Sequence, residues 1–191
     1  MQFKSTLLLA FLSASSAFII PEGTGDGVYE HHVNANGVDV HVKIGNATDF
    51  SATELSVYTK RVNSIRASRL QARDGAFCNQ GPDKANMHHG VSTLRIHYEK
   101  LDTDAANADL DYQCSNYGPT KGRHNYYSVR GNTVAFFCNR AINSVQCTAS
   151  RRAQTSSYIT EKCGWYHAGW WDAGLTSYGY DTGRCFCSEC V

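Results

Sequence analysis

The 191-residue chain lacks a long hydrophobic run, an excess of charge of either sign and a familiar catalytic motif. The apolar run LLLAFL near the start is far shorter than the roughly 20 residues that a transmembrane helix needs, and no later run approaches that length. Neither G-x-S-x-G nor H-E-x-x-H occurs, which argues against hydrolases built on those motifs. A formal net charge of +1 gives no electrostatic basis for binding nucleic acid. The sequence therefore predicts neither a membrane-spanning nor a nucleic-acid-binding protein.

The start of the chain has the pattern of a signal peptide. Lys4 precedes the apolar run, and the small residues SASSA follow it and end at Ala17. The alternative, a buried N-terminal helix, is disfavoured because polar residues and Pro21 interrupt the run at once. We therefore predict a signal peptide at residues 1–17 and a secreted, extracellular protein.

The cysteines support an oxidising compartment, since an even number in a small secreted chain indicates disulfides. All eight follow the predicted signal peptide: Cys78, Cys114, Cys138, Cys147, Cys163, Cys185, Cys187 and Cys190. The alternative is a metal site at CFCSEC, but no motif at zinc-finger spacing completes it. Roughly a hundred pairings are open, although one helix over 148–163 would hold Cys147 and Cys163 roughly 24 Å apart and exclude that bridge.

The balance of acidic and basic residues changes at Arg61. Residues 18–61 carry three basic and six acidic residues, whereas residues 62–191 carry fourteen basic and eleven acidic residues and all the cysteines. An acidic leader that ends in the dibasic pair Lys60-Arg61 is typical of a pro-region, followed here by a linker or helix at 62–77 and a cysteine-rich domain at 78–191. The alternative is that the pair lies on the exposed face of a helix, because Ser51 and Glu54 form a capping-box motif.

The predicted pro-region contains a β-hairpin, since two β-rich runs flank Asn36-Gly37. His31, His32 and His41 lie in or beside it, and we interpret them as surface histidines of a β-ribbon rather than as a metal site or a pH switch. Asn46 begins the only glycosylation sequon, so we predict a glycan there.

The periodicity of the cysteine-rich segment predicts a β-α-β-β-α-β order. Strands are predicted at 91–98 and 165–171, a hairpin at 126–138 turning at Gly131-Asn132, and helices at 102–114, with acidic residues early, and 147–164. This order predicts an α+β fold: a small two-layer sandwich whose antiparallel sheet carries both helices on one face and is stabilised by disulfides. Residues 176–180 are a candidate further edge strand.

Three stretches, DTDAANADL, YYSVRGNTVAFFCNR and CGWYHAGWW, together with the leader, the dibasic pair and the cysteines, carry a resemblance. Over about residues 75–190 the chain resembles the killer toxins and cysteine-rich effectors that fungi secrete. The resemblance implies an α/β sandwich that acts outside the cell on a competing microbe or a host, by binding and without a cofactor. The cysteine spacing matches no one toxin family, so pairing and target stay open.

The segment WYHAGWW is the candidate contact surface. Trp165, Tyr166, Trp170 and Trp171 crowd into seven residues, and alternation along a strand would turn one face to the core and present Tyr166 and Trp170 outward. A cell-surface glycan, a lipid or a protein would suit such a surface, and Arg140, Arg151 and Arg152 are candidates for a basic rim.

Two other functions are open. A secreted ribonuclease would use His97, Glu99, His124 and Arg130, with His97 and Glu99 on one face of a strand. A structural protein of a cell wall or matrix is the third class. We assign no catalytic residue and no metal ligand, and the binding role is the prediction carried forward.

Overall fold

The structure, a computed structural model, describes residues 17–51, 53–57, 75–78, 93–182 and 185–187. Lys60, Arg61, Cys190 and all of the predicted signal peptide except Ala17 lie outside this part, as do the side chains of Cys78 and of residues 93–99. The strands and helices, in chain order, are β1 (Phe18–Ile19), β2 (Gly27–Val33), β3 (Asp39–Gly45), β4 (Gly75–Cys78), α1 (Thr93–Asn116), β5 (Asn125–Arg130), β6 (Thr133–Asn139), α2 (Ala149–Cys163), β7 (Gly169–Asp172), β8 (Thr176–Asp181) and β9 (Cys185–Phe186).

A seven-stranded sheet organises the fold, with strand order β3-β2-β5-β6-β8-β7-β4 and antiparallel pairing throughout. The hairpin of β5 and β6 turns at Gly131, whose positive φ of 51° suits a tight turn between twisted strands, as the sequence predicts. The α+β class is confirmed. Among the described residues, no helix is long and apolar enough to cross a membrane.

The predicted N-terminal hairpin belongs to this same sheet. β2 pairs with β3 on one side and with β5 on the other, with Tyr29 opposite Tyr127. Val28 and His31 of β2 are buried. Residues 27–45 are therefore part of the sheet that the cysteine-rich segment completes, whether or not the chain is cut after Arg61.

The two faces of the sheet are covered differently. On the helix face, α1 and α2 pack against the sheet and form the larger core, which includes Leu110, Tyr126, Phe137, Ile159 and Trp171. On the opposite face, which we call the groove face, a small pair of strands, β1 and β9, covers part of the sheet. The core on the groove face includes Phe18, Ile20, Tyr127, Phe136 and Phe186.

Two disulfides connect described cysteines. Cys114 at the end of α1 bonds to Cys147 ahead of α2, and Cys138 of β6 bonds to Cys187 just after β9. Cys163 and Cys185 are also disulfide-bonded, and none of the described cysteines is free. Disulfides are thus confirmed for six of the predicted cysteines: Cys114, Cys138, Cys147, Cys163, Cys185 and Cys187. Since Cys185 and Cys187 are both bonded, their thiolates are not available as metal ligands.

The predicted strand at 91–98 is wrong, because residues 93–98 belong to α1. The alternation read as a strand also fits a helix, since Leu94, Tyr98, Leu101 and Ala105 recur at helical spacing. β4 takes the place of the first strand, at the sheet edge beside β7. The acidic residues that were predicted to lie early in this helix are also not in its first turn, because α1 begins at Thr93.

Aspartates in the middle of α1 form buried ion pairs instead. Asp109 accepts a hydrogen bond from Arg130 Nε at 2.6 Å, and Asp111 accepts one from Arg152 Nε at 2.5 Å. Arg152 is 2% exposed and also donates to Asn107, so it is not part of a basic rim. These pairs fasten α1 to β5 and to α2.

The predicted strand at 165–171 is shorter than expected, and the strand after it is not at an edge. Only Gly169–Asp172 is extended, because Gly164 ends α2 and Tyr166 adopts a positive φ of 59° in the turn that follows. β8, which includes the candidate edge strand at 176–180, lies between β6 and β7 inside the sheet.

The capping box is confirmed, since the Glu54 amide donates to Ser51 Oγ and the Ser51 amide donates to Glu54 Oε2.

Candidate functional site

A groove of about 720 Å³ lies on the groove face beside β9, among the residues that the structure describes. Its volume lies in the range typical of small-molecule sites. Strands β6, β7 and β8 supply its floor and the segment around β9 supplies one wall. The residues that line it are Phe136, Arg140, Trp170, Asp172, Gly174, Ser177, Asp181, Cys185, Phe186 and Cys187.

Aromatic rings form the apolar part of the groove. The rings of Phe136 and Phe186 are 5.0 Å apart between centroids, and Trp170 is half-buried beside them. Gly179 of β8 lies beneath, and a Cβ there would come within 2.7 Å of Trp170 Cβ and of Phe136 Cζ. The missing side chain therefore lets both rings lie against the sheet, which keeps the floor flat and rigid.

Arg140 forms the charged end of the groove. Its guanidinium donates to Asp172 Oδ1 at 2.8 Å, to Ser177 Oγ at 2.6 Å and to backbone oxygens of Gly174 and Cys187. A guanidinium held by this many partners is fixed in position without further ordering. It connects the end of β6, the turn from β7 to β8 and the C-terminal segment, so it holds the groove wall in place.

A second carboxylate, Asp181, lies in the groove at the far end of β8 from Ser177. It is 8% exposed and accepts a hydrogen bond from the Thr182 amide at 2.5 Å. The groove therefore combines an aromatic floor with carboxylates and a fixed guanidinium.

The structure separates the four aromatic residues of the predicted contact surface. Trp170 lines the groove, whereas Trp171 points to the helix face, is fully buried and lies under the Arg151 guanidinium at 4.4 Å. Trp165 is 52% exposed in the turn after α2, and Tyr166 donates to Asp104 Oδ2 of α1 at 3.2 Å. The alternation was correct for Trp170 and Trp171 and failed for Trp165 and Tyr166, because those residues are in a turn.

The four residues proposed for a ribonuclease do not form a site. His97 and Glu99 belong to α1 and not to a strand, so the strand face that they were predicted to share does not exist. His124 and Arg130 flank the two ends of β5, roughly 20 Å apart at the rise of a strand. Arg130 is held by Asp109 and by the carbonyl of Thr48.

The hairpin histidines are not simply surface residues. His31 is 1% exposed, its Nε2–H donates to Asp39 Oδ1 at 2.9 Å, and its Nδ1 accepts from Asn125 Nδ2 at 3.0 Å. Burial is the main cause that lowers the pKa of His31, with Asp39 opposing the shift and His32 and His124 adding to it. The surface interpretation is wrong for His31, because β2 lies between β3 and β5 inside the sheet and Phe18 of β1 stacks on the His31 ring.

Another group of side chains lies on the other side of β2 from His31, where Glu30, His32 and His124 converge with their potential ligand atoms all within 4.8 Å of one another.

Asn46, the predicted glycosylation site, is exposed just after β3. That glycan stays a prediction.

No protein-family model, no curated protein and no solved structure matches this chain.

The sequence did not predict several groove residues outside the WYHAGWW segment, such as Phe136, Asp172 and Asp181. They come from different strands and carry no local motif, so only the antiparallel pairing of β6, β7 and β8 assembles them.

Proposed function

We propose that this is a secreted, disulfide-bonded binding protein of the effector or toxin-like kind, which uses the groove to bind a carbohydrate on the surface of a competing microbe or a host cell. The observation that carries the proposal is the half-buried ring of Trp170 beside the Arg140–Asp172 ion pair in one concave site.

The chemistry of the groove suits a sugar better than a lipid chain or a flat protein surface. A pyranose ring has an apolar C–H face that packs on an aromatic ring and an edge of hydroxyls that need hydrogen-bond partners. Trp170 and Phe186 offer the first kind of contact, and Asp172 and Asp181 offer acceptors at the margin. A lipid chain has no hydrogen-bond donor to offer these carboxylates and would place hydrocarbon against them.

The rigidity of the groove supports binding of a ligand without rearrangement. The Cys138–Cys187 disulfide fixes the wall to β6, and Arg140 fixes it to the turn between β7 and β8. A site that is already ordered avoids the entropic cost of forming around its ligand. The cysteine usage thus contributes to the site as well as to stability.

Isothermal titration of the secreted protein with soluble β-glucan, mannan and N-acetylglucosamine oligomers would test the proposal. We expect one class to bind, and Trp170→Ala to weaken its affinity by about tenfold to a hundredfold, which corresponds to loss of one aromatic contact. Trp165→Ala is the matched control, because it removes an exposed indole outside the groove and should change the affinity less than about twofold.

The alternative functions, an enzyme and a structural protein, predict different results with the same secreted protein. Release of new reducing ends or cleavage of RNA by the wild-type protein would favour an enzyme over a binding protein. Retention in a cell wall that only a reductant reverses would favour the structural class. Equal loss of binding in Trp165→Ala and Trp170→Ala would rule out the groove as the site.

A further inference from the structure

Glu30, His32 and His124 form a compact group of ligands away from the groove. Glu30 and His32 are two apart on β2 and point to the same face of the sheet, and His124 immediately precedes β5, the partner strand of β2. Their side chains are between 19% and 26% exposed, so solvent reaches the cluster from one side. The antiparallel pairing of β2 and β5 therefore brings together residues 94 positions apart in the chain.

The two imidazoles lie close together, and both present Nδ1 to the same carboxylate oxygen. The rings of His32 and His124 stack with centroids 4.4 Å apart and an interplanar angle of 14°. Both Nδ1 atoms face Glu30 Oε1: that of His124 in a short hydrogen bond and that of His32 at 4.0 Å. The His32 Nδ1 atom is buried and has no hydrogen-bond partner. A buried imidazole nitrogen without a partner is costly, and a metal ion placed among the three ligand atoms would satisfy it.

We propose that Glu30, His32 and His124 bind one Zn²⁺ ion. Two imidazole nitrogens and one carboxylate oxygen are a known zinc ligand set, and tetrahedral coordination leaves the fourth position to water or to a partner. Bonds of about 2.1 Å place tetrahedral ligands roughly 3.4 Å apart. Separations of up to 4.8 Å thus require the ligand atoms to close by about 1.4 Å at most, and the two stacked rings must tilt toward a common point. Rotation of the side chains about their χ angles supplies both movements.

Binding changes the tautomer of His124 and need not release a proton from a neutral ring. Without the ion, the Nδ1–H of His124 donates to Glu30 Oε1, whereas a metal bound at Nδ1 moves that proton to Nε2. Glu30 then exchanges a hydrogen bond for a metal bond.

The position of the ion gives it a structural role. All eight cysteines lie at position 78 or later, so no disulfide can fasten the hairpin of β2 and β3 to the rest of the chain. The ion would connect β2 to the residue immediately before β5, and so reinforce the pairing of these two strands. The bound metal fastens the N-terminal hairpin to the cysteine-rich segment, independently of what the groove binds.

The test uses the full secreted chain, stripped of metal with EDTA and titrated with ZnCl₂. We expect one Zn²⁺ per chain with a Kd of about 1 μM or tighter, and saturating zinc to raise the Tm by about 5 °C or more. Glu30→Gln, His32→Asn and His124→Asn should each weaken binding by about a hundredfold and abolish the rise in Tm.

His167→Gln is the matched control, since it removes a half-buried imidazole at the other end of the sheet and should leave zinc binding unchanged. If circular dichroism shows that one of the three site variants does not fold, NMR of the wild-type protein tests the site instead. The imidazole signals of His32 and His124 should then shift when zinc is added, and that of His167 should not. Absence of binding at 100-fold excess zinc, or binding that only a His88→Asn/His89→Asn variant removes, would overturn the proposal.

Discussion

The ring of Phe18 stacks on the imidazole of His31, with ring centroids 4.3 Å apart and an interplanar angle of 21°. Phe18 is 1% exposed, contacts Phe186 of β9 and directly follows Ala17, the predicted end of the signal peptide. Cleavage at that position would make Phe18 the first residue of the secreted protein. Its side chain would then anchor the new N-terminus in the core of the groove face.

Phe18→Ala should lower the free energy of unfolding by about 3 kcal/mol, because it removes a buried ring and leaves a cavity above His31. Urea denaturation followed by circular dichroism measures the loss. Ile19→Ala is the control, since Ile19 is 56% exposed and should cost less than about 0.5 kcal/mol. Equal costs for the two variants would show that Phe18 does not anchor the N-terminus.

The pH dependence of stability should reflect His31. Its pKa is lowered in the folded protein, chiefly by burial, so the unfolded chain takes up this proton at a higher pH than the folded chain does. Stability is therefore fully present above the ordinary histidine pKa near 6.5 and falls as the pH drops below it, by at most about 1.4 kcal/mol per pH unit for this one group. Asp39 opposes the shift, whereas His32 and His124, on the other side of β2, reinforce it; the His41 ring lies 4.9 Å from the His31 ring between centroids.

Urea midpoints at a series of pH values between about 7.5 and 5 measure this slope. The slope should be smaller in His31→Gln than in the wild-type protein. His41 adds a contribution of the same sign, because burial and the neighbouring His31 lower its pKa too. A stability that stays constant or increases on acidification would contradict the assignment.

Cutting the chain after Arg61 should not separate its two parts. β2 keeps its pairing with β5, and Val28 and His31 stay buried, while no disulfide crosses the cut. A protein nicked at that position should therefore elute as one species in native size-exclusion chromatography. In urea without reductant it should yield two species. Release of the N-terminal fragment in native buffer would show instead that the hairpin is a removable leader.

The two described disulfides should differ in their effect on the groove. Each disulfide closes a loop of comparable length, and the chain-entropy model predicts that each one adds about 4 kcal/mol to the free energy of unfolding. Cys138→Ser/Cys187→Ser should also abolish carbohydrate binding, because Cys187 lines the groove and its carbonyl accepts from Arg140. Cys114→Ser/Cys147→Ser should lose similar stability and keep its affinity in the folded fraction. Parallel loss of binding in both would mean that the groove depends on global stability alone.

Local signals predicted the elements that local interactions stabilise. The hairpin at Gly131, the capping box at Ser51 and the end of α2 at Gly164 each depend on residues within a few positions, so the sequence was sufficient for them. The strand predicted at 91–98 failed, because a short alternating run also fits the periodicity of a helix that continues to Asn116. The turn at Tyr166 was missed for a related reason, since nothing in that residue type signals a positive φ.

The sequence by itself determined the leader pattern, the cysteine content, the α+β class and the exclusion of a Cys147–Cys163 bridge. Only the tertiary structure decided that the N-terminal hairpin joins the main sheet, that Trp170 faces a groove while Trp171 faces the core, and that His124 meets Glu30 and His32. The physical reason is that sheet neighbours are set by hydrogen bonds and burial between strands distant in the chain. Antiparallel pairing brings residues together across nearly a hundred positions, and no local periodicity encodes which strands will meet.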